Sequence, residues 1–159
     1  MSSMATDRPK IVLVNRSIVL NKKGEILLIQ RINNDSWNSG FWEIPGGKLD
    51  EGQDITHALE REVFEETNLL INPISRTAYF ESSVISHGKY IGMPYIVIIG
   101  ISLLDVGKIK LSEEHQDFIW ATLTKALKYK LTEETQKALV VLKKQISQII
   151  KKYSLKNSS

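Results

Sequence analysis

Glu62, Glu65 and Glu66 fall within the seven-residue run EREVFEE. On a helix of 3.6 residues per turn these positions are neighbours on one face. Like charges so placed destabilise a helix by about 0.2–0.5 kcal/mol per pair. Such a face needs a cation, a nearby arginine or full solvation. Carboxylate oxygens without thiolate or imidazole favour hard cations, so the metals expected are Mg²⁺ or Mn²⁺. Bound at a diphosphate, such ions neutralise its charge and activate an attacking water. Taken alone, EREVFEE reads more readily as a solvated acidic helix face, and only the turn and spacing upstream reverse that preference.

The run belongs to a longer stretch, PGGKLDEGQDITHALEREVFEETNL, from Pro45 to Leu69. This stretch resembles the Nudix box, G-x5-E-x7-R-E-U-x-E-E-x-G-U with U aliphatic. Gly47, Arg61, Glu62, Val63, Glu65, Glu66 and Leu69 match seven of nine specified positions. Five identities at about 6% usage each arise by chance about once in a million start positions. Weaker resemblance extends over about Val12–Leu127.

The resemblance implies a fold and a site. The fold is the α/β Nudix sandwich: α/β/α layers with a mixed central sheet. The reaction is hydrolysis, within the pyrophosphate, of a nucleoside diphosphate linked to some group X. Carried over by position, the metal ligands are Glu62, Glu65, Glu66 and the carbonyl of Gly46. Glu62 and Glu65 then serve catalysis, and Arg61 orients the carboxylates through charge-assisted hydrogen bonds. Relatives often place one more acid before a late strand. Glu113, Glu114 and Asp117 precede Trp120, and Glu114 has the fitting distance as metal ligand or base. Arg31 and Lys48 are the expected phosphate contacts, and Glu43 the expected acid facing substrate.

MutT-like members act on nucleoside triphosphates, and that substrate class is the expectation here. Relatives cleaving ADP-ribose tend to carry a proline beyond the box, and Ser82–Ser86 has none. Dinucleoside polyphosphate relatives tend to carry a tyrosine there, absent between Glu81 and Lys89. Gln53 replaces the first box glutamate, losing its charge and its capacity as a base. That departure keeps a second reading open, a nucleotide-binding sensor with lost or reduced hydrolysis. A third, ranked last, makes the lysine-rich C-terminal region an RNA contact.

Several elements must position these groups. Ile11–Leu20 and Glu25–Arg31 read as a hairpin about the turn at Asn21–Gly24. Phe41–Ile44 reads as a short strand entering Pro45. Asp54 is a good N-cap, and Asn68 suits the left-handed stop where the box has glycine. Ile55, Ala58 and Leu59 pack inward, and Phe64 on the opposite side predicts apolar cover on a second face. Thr77–Ile85 and Pro94–Leu104 read as strands. Ile96–Ile101 is almost continuously apolar, as in a strand buried on both faces. Phe118–Thr122 is the last strand and Leu123–Leu127 a short helix. Thr132 then caps one long helix to about Tyr153, with Val141 and Tyr153 in its apolar stripe. Trp37, Phe41, Trp42, Phe80 and Tyr95 are candidates to stack on a base. His57 and His87 read as surface residues, and His115, beside the acidic loop, carries little weight alone.

The 159-residue chain is ordinary in composition, with 42% hydrophobic and 25% charged residues. It suffices for one domain, residues 11–155, between a loose leader (1–10) and a frayed tail (156–159). Without cysteine, disulfides and thiolate metal sites are excluded. The net charge of +3 divides into +7 over residues 121–159 and −4 before them. The lysines interleave with an apolar helical pattern, which marks a solvated face more than a nucleic-acid surface. No apolar run reaches membrane-spanning length, and no signal peptide opens the chain. A cytoplasmic protein with a small nucleotide partner is therefore expected. The sequence leaves a homodimer open.

Overall fold

The computed structural model describes residues 10–34, 38–153 and 155. Residues 1–9 of the leader, the stacking candidate Trp37 and the 156–159 tail lie outside the described residues.

A mixed sheet is built around β1 (Val12–Leu20). β6 (Pro94–Val106) runs parallel to it, from Val12↔Tyr95 to Leu20↔Leu103. β5 (Leu70–Val84) lies antiparallel on the far edge of β6. The other edge of β1 is divided. Leu20 pairs with Ile26 of β2 (Ile26–Arg31). Val14, Asn15 and Arg16 instead pair with Lys48, Gly47 and Gly46 of β4 (Gly46–Lys48). β2 has by then separated to run between β3 (Trp42–Glu43) and β7 (His115–Ala121). The proline–glycine turn thus occupies the wedge where β1 and β2 part. There the Ser17 N–H donates to the Pro45 carbonyl at 2.9 Å.

Strand alternation sends neighbouring residues into opposite cores. Ile18, Leu20, Ile26 and Leu28 pack with Ala138, Leu139, Leu142 and Ile146 of the C-terminal helices. Val19, Leu27 and Ile29 pack with Leu59 and Val63 of the box helix, and with Leu69. The result is the expected α/β/α sandwich with a mixed central sheet.

The box helix α1 (Ile55–Thr67) has both predicted ends. The Asp54 side chain accepts the Thr56 N–H at 3.0 Å. Asn68 stops the helix at φ 64°, and its N–H donates to the Phe64 carbonyl. One expectation fails: Phe64 is 45% exposed, so α1 is buried along a single stripe of Ala58, Leu59, Val63, Glu66 and Thr67.

Four further elements differ from the sequence reading; one is β7, which begins at His115 instead of Phe118. β5 begins at Leu70, directly after the helix, instead of at Thr77. Asn72-Pro73 resembles a turn, but β5 is an edge strand, where a missing N–H is tolerated. The irregular register between Pro73 and Tyr79 absorbs the proline. In β6, Val97, Ile99 and Ile101 are fully buried while Ile96 and Ile98 are only half-buried. α1 packs over β1, β4 and β5 and leaves that face of β6 partly open. The short helix α2 (Leu123–Ala126) forms as expected. The long C-terminal helix bends at Leu142 into α3 (Glu133–Val141) and α4 (Lys143–Lys152). Bonds from Leu142 N–H to Ala138 and from Ile146 N–H to Leu142 carry the ladder across the bend. Val141 and Tyr153 lie outside the buried stripe. At the start of α3, the Thr132 hydroxyl donates to Thr135 Oγ1 and caps no backbone N–H.

Candidate active site

Two glycines bring the turn against the helix. Gly46 has φ +144°, a conformation that side chains rarely adopt. A Cβ there would lie 2.3 Å from the Asn15 carbonyl oxygen. The Gly46 N–H donates to Glu66 Oε2 at 3.0 Å. At Gly47 a Cβ would lie 2.7 Å from Glu62 Oε2. The turn therefore presses backbone onto two of the three box carboxylates, and only residues without a side chain allow that approach.

The carboxylates differ in environment. Glu66 is buried, and burial first, then Glu43 and Glu62, push its carboxyl up to about 8. Arg16 and the Gly46 N–H act in the other direction. Glu62 is 21% exposed in its side chain and is also raised, by burial and then by Glu65. Glu65 is 58% exposed. Arg61 reaches both, with Nη2 3.2 Å from Glu62 and Nε 3.5 Å from Glu65.

Behind them lies a buried ion network. Glu43, on β3, faces Arg16 at 3.5 Å, Arg31 at 3.2 Å and His115 Nε2 at 3.0 Å. Burial alone would raise the Glu43 carboxyl, but Arg16, the His115 hydrogen bond and Arg31 hold it down at about 2. The ionised Glu43 can only accept, so His115 Nε2 carries the proton of that bond. Arg16 Nε donates to Glu134 Oε1 at 2.5 Å, and Nη1 to the Ile44 carbonyl at 3.2 Å. Nη1 also makes a long contact, 3.5 Å, with the Gly46 carbonyl. The second Glu134 oxygen accepts the Tyr95 hydroxyl. No sequence motif points to Glu134 or Arg16 as a neighbour of the site. The one signal of Arg16 in sequence is a charge in the middle of an apolar strand, VLVNRSIVL.

A second cluster forms where β7 begins. One oxygen each from Glu66 and Glu114 and a ring nitrogen of His115 lie within 4.8 Å of one another. The structure thus joins Gly46, Glu62, Glu66 and Glu114 across the turn, α1 and the segment before β7. Glu65 and Arg61 occupy its solvent side.

Other candidates have local partners. Lys48 Nζ donates to the Tyr90 hydroxyl at 2.8 Å and lies 4.5 Å from the ring centroid. Arg31 bonds Glu43 through Nη1, while its buried Nε has no partner among the described residues. Trp42 packs edge-on against Tyr129, Phe41 lies under Lys130, and Phe80 is exposed. Gln53 turns back on its own loop, where Oε1 accepts the Asp50 N–H at 2.8 Å.

A divalent cation fits this donor set. Burial penalises the charged forms of Glu66 and Glu62, and no basic side chain makes a direct contact with Glu66 among the described residues. Added positive charge would relieve both groups, and their oxygens suit hard cations.

Comparison with known proteins gives the family. A profile of the NUDIX domain matches residues 12–142. The chain belongs to the Nudix family. The CTP pyrophosphohydrolase of Escherichia coli (strain K12) is 29% identical over 113 residues, 71% of this chain and 78% of that protein. The 8-oxo-dGDP phosphatase NUDT18 of Mus musculus is 34% identical over 68 residues, 43% of this chain. This Nudix chain matches only 20% of the mouse protein's length, and between 20% and 32% of three other long relatives. The crystal structure of the MutT protein from Methanosarcina mazei Go1 superposes with a TM-score of 0.72 and 26% identity. That superposition covers 87% of this chain and 96% of the other.

Proposed function

We propose that this Nudix chain hydrolyses a nucleoside diphosphate linked to X, with a nucleoside triphosphate as the substrate class. The observation that carries the reading is the joint contact of Gly46 with Glu66 and of Gly47 with Glu62. A tight turn and a three-glutamate helix have no evident structural need to meet there. The family membership and the CTP-cleaving relative support the same class.

Glu62, Glu65, Glu66 and the Gly46 carbonyl would hold Mg²⁺ or Mn²⁺. When bound, the cation supplies neutralisation of phosphate charge and a more acidic water. Arg61 orients Glu62 and Glu65. Arg31 and Lys48 would receive phosphate oxygens, and Glu114 would hold a cation or accept a proton from the attacking water. The water oxygen bonds to phosphorus as the bridging P–O bond breaks, giving a nucleoside monophosphate and pyrophosphate.

Gln53 adds little to the sensor reading. Its amide oxygen closes the 50–53 loop, a task a glutamate oxygen performs equally well. A turnover panel with Mg²⁺ and with Mn²⁺ tests the proposal, using nucleoside triphosphates, oxidised guanine nucleotides, ADP-ribose, dinucleoside polyphosphates and 5′-triphosphate RNA. Pyrophosphate and phosphate release are measured separately. Metal-dependent pyrophosphate release from a triphosphate is expected. Tight nucleotide binding without product would overturn the enzyme reading in favour of a sensor.

A further inference from the structure

His115 is the first residue of β7 and its side chain is fully buried. Its Nε2–H donates to Glu43 at 3.0 Å, and Glu43 is held in turn by Arg16 and Arg31. The ring is thereby fixed in orientation and tautomer. The other nitrogen, Nδ1, is buried and has no hydrogen-bond partner among the described residues. An unpartnered polar atom in such a place is costly. Water or an ion would remove that cost. Carboxylate oxygens of Glu66 and Glu114 lie within 4.8 Å of a His115 ring nitrogen. A histidine that binds a metal through one nitrogen usually donates the other to a carboxylate, which sets its tautomer and raises its basicity. Glu43 stands in that relation to His115.

The geometry points to His115 Nδ1 as a nitrogen ligand of a divalent cation shared with Glu66 and Glu114. The assignment rests on the cation site proposed above and adds a donor of a different kind to it. Glu43 is then a positioning residue that acts through the imidazole. The donor set has a consequence for metal choice. Imidazole nitrogen suits Co²⁺ and Zn²⁺, and by the general affinity order Mn²⁺ lies below both, while Mg²⁺ prefers oxygen alone. The position therefore selects transition ions over Mg²⁺, whichever nucleotide is cleaved.

The test uses the full chain with Mn²⁺ and no nucleotide. Mn²⁺ binding is titrated by the loss of the free-ion electron paramagnetic resonance signal. Electron spin-echo envelope modulation reports whether nitrogen is coordinated. Bound Mn²⁺ is expected to show ¹⁴N modulation in the wild type. His115→Asn removes the imidazole, and should abolish the modulation and weaken binding roughly tenfold or more. Glu114→Gln lies on the exposed side and should weaken the same site with the fold intact. It keeps the inference testable if His115→Asn does not fold. Bound Mn²⁺ without ¹⁴N modulation, or modulation that persists in folded His115→Asn, overturns the assignment. Modulation lost with His115 in a protein that cleaves no nucleotide would leave the ligand standing and defeat the hydrolase reading instead.

Discussion

Glu66 accepts the Gly46 N–H at 3.0 Å across twenty residues of chain, and it does so from a buried position. The bond ties the turn to the last turn of α1, so the spacing between glycine and glutamate in the sequence is realised as one contact. Gly46 and Gly47 hold different parts of that contact, and substitution separates them. Gly46→Ala sets a Cβ against the rigid Asn15 backbone at a positive φ. We expect a loss of about 3 kcal/mol or more in urea unfolding. Gly47→Ala meets the tip of Glu62, which can move. Stability should change by about 1 kcal/mol or less, while turnover falls roughly tenfold to a hundredfold.

Metal-free stability should fall as pH rises. The folded Glu66 carboxyl titrates at about 8, above the ordinary value of 4.5. Between those values the unfolded chain binds fewer protons than the folded one, so the Glu66 contribution is full below pH 4.5 and lost by about pH 8. Glu43 works oppositely. Its carboxyl is lowered to about 2, so its contribution is present above pH 4.5 and disappears as pH falls through 2. Urea unfolding in a chelator should therefore show lower stability at pH 8.5 than at pH 5. Glu66→Gln keeps an oxygen for the Gly46 N–H and should flatten that slope. An unchanged slope in the variant would place the titration elsewhere.

Arg16 offsets two buried or half-buried acids, Glu43 and Glu134, at 3.5 Å and 2.5 Å. Arg16→Met removes the cation and leaves both acids in place. Breaking such a pair typically costs about 3–5 kcal/mol, and thermal unfolding should register it. Arg16→Lys should recover only part of the loss, since one ammonium cannot reproduce the planar set of contacts to Glu43, Glu134 and the Ile44 carbonyl.

Gln53→Glu addresses the departure from the box directly. The side-chain oxygen that accepts the Asp50 N–H survives the substitution. Stability should stay within about 0.5 kcal/mol, and turnover within tenfold. A gain of tenfold or more would show that the natural glutamine handicaps catalysis.

Where local chemistry suffices, the chain alone determined the outcome. Asp54 and Asn68 set both ends of α1, because capping depends on residues within one turn. The hairpin at Asn21–Gly24 and the spacing of Gly47, Glu62 and Glu66 are equally local, and they sufficed to indicate the family. Phe64 shows the limit: periodicity marks an apolar residue but does not state what packs over it. Arg16, His115 and Glu134 became site neighbours only through tertiary structure. Arg16 meets Glu134 across 118 residues, and His115 meets Glu43 across 72. Those contacts depend on β1 parting from β2 and on β7 pairing β2. Strand pairing of that kind is decided by the burial of the whole sheet, and no short window of sequence contains it.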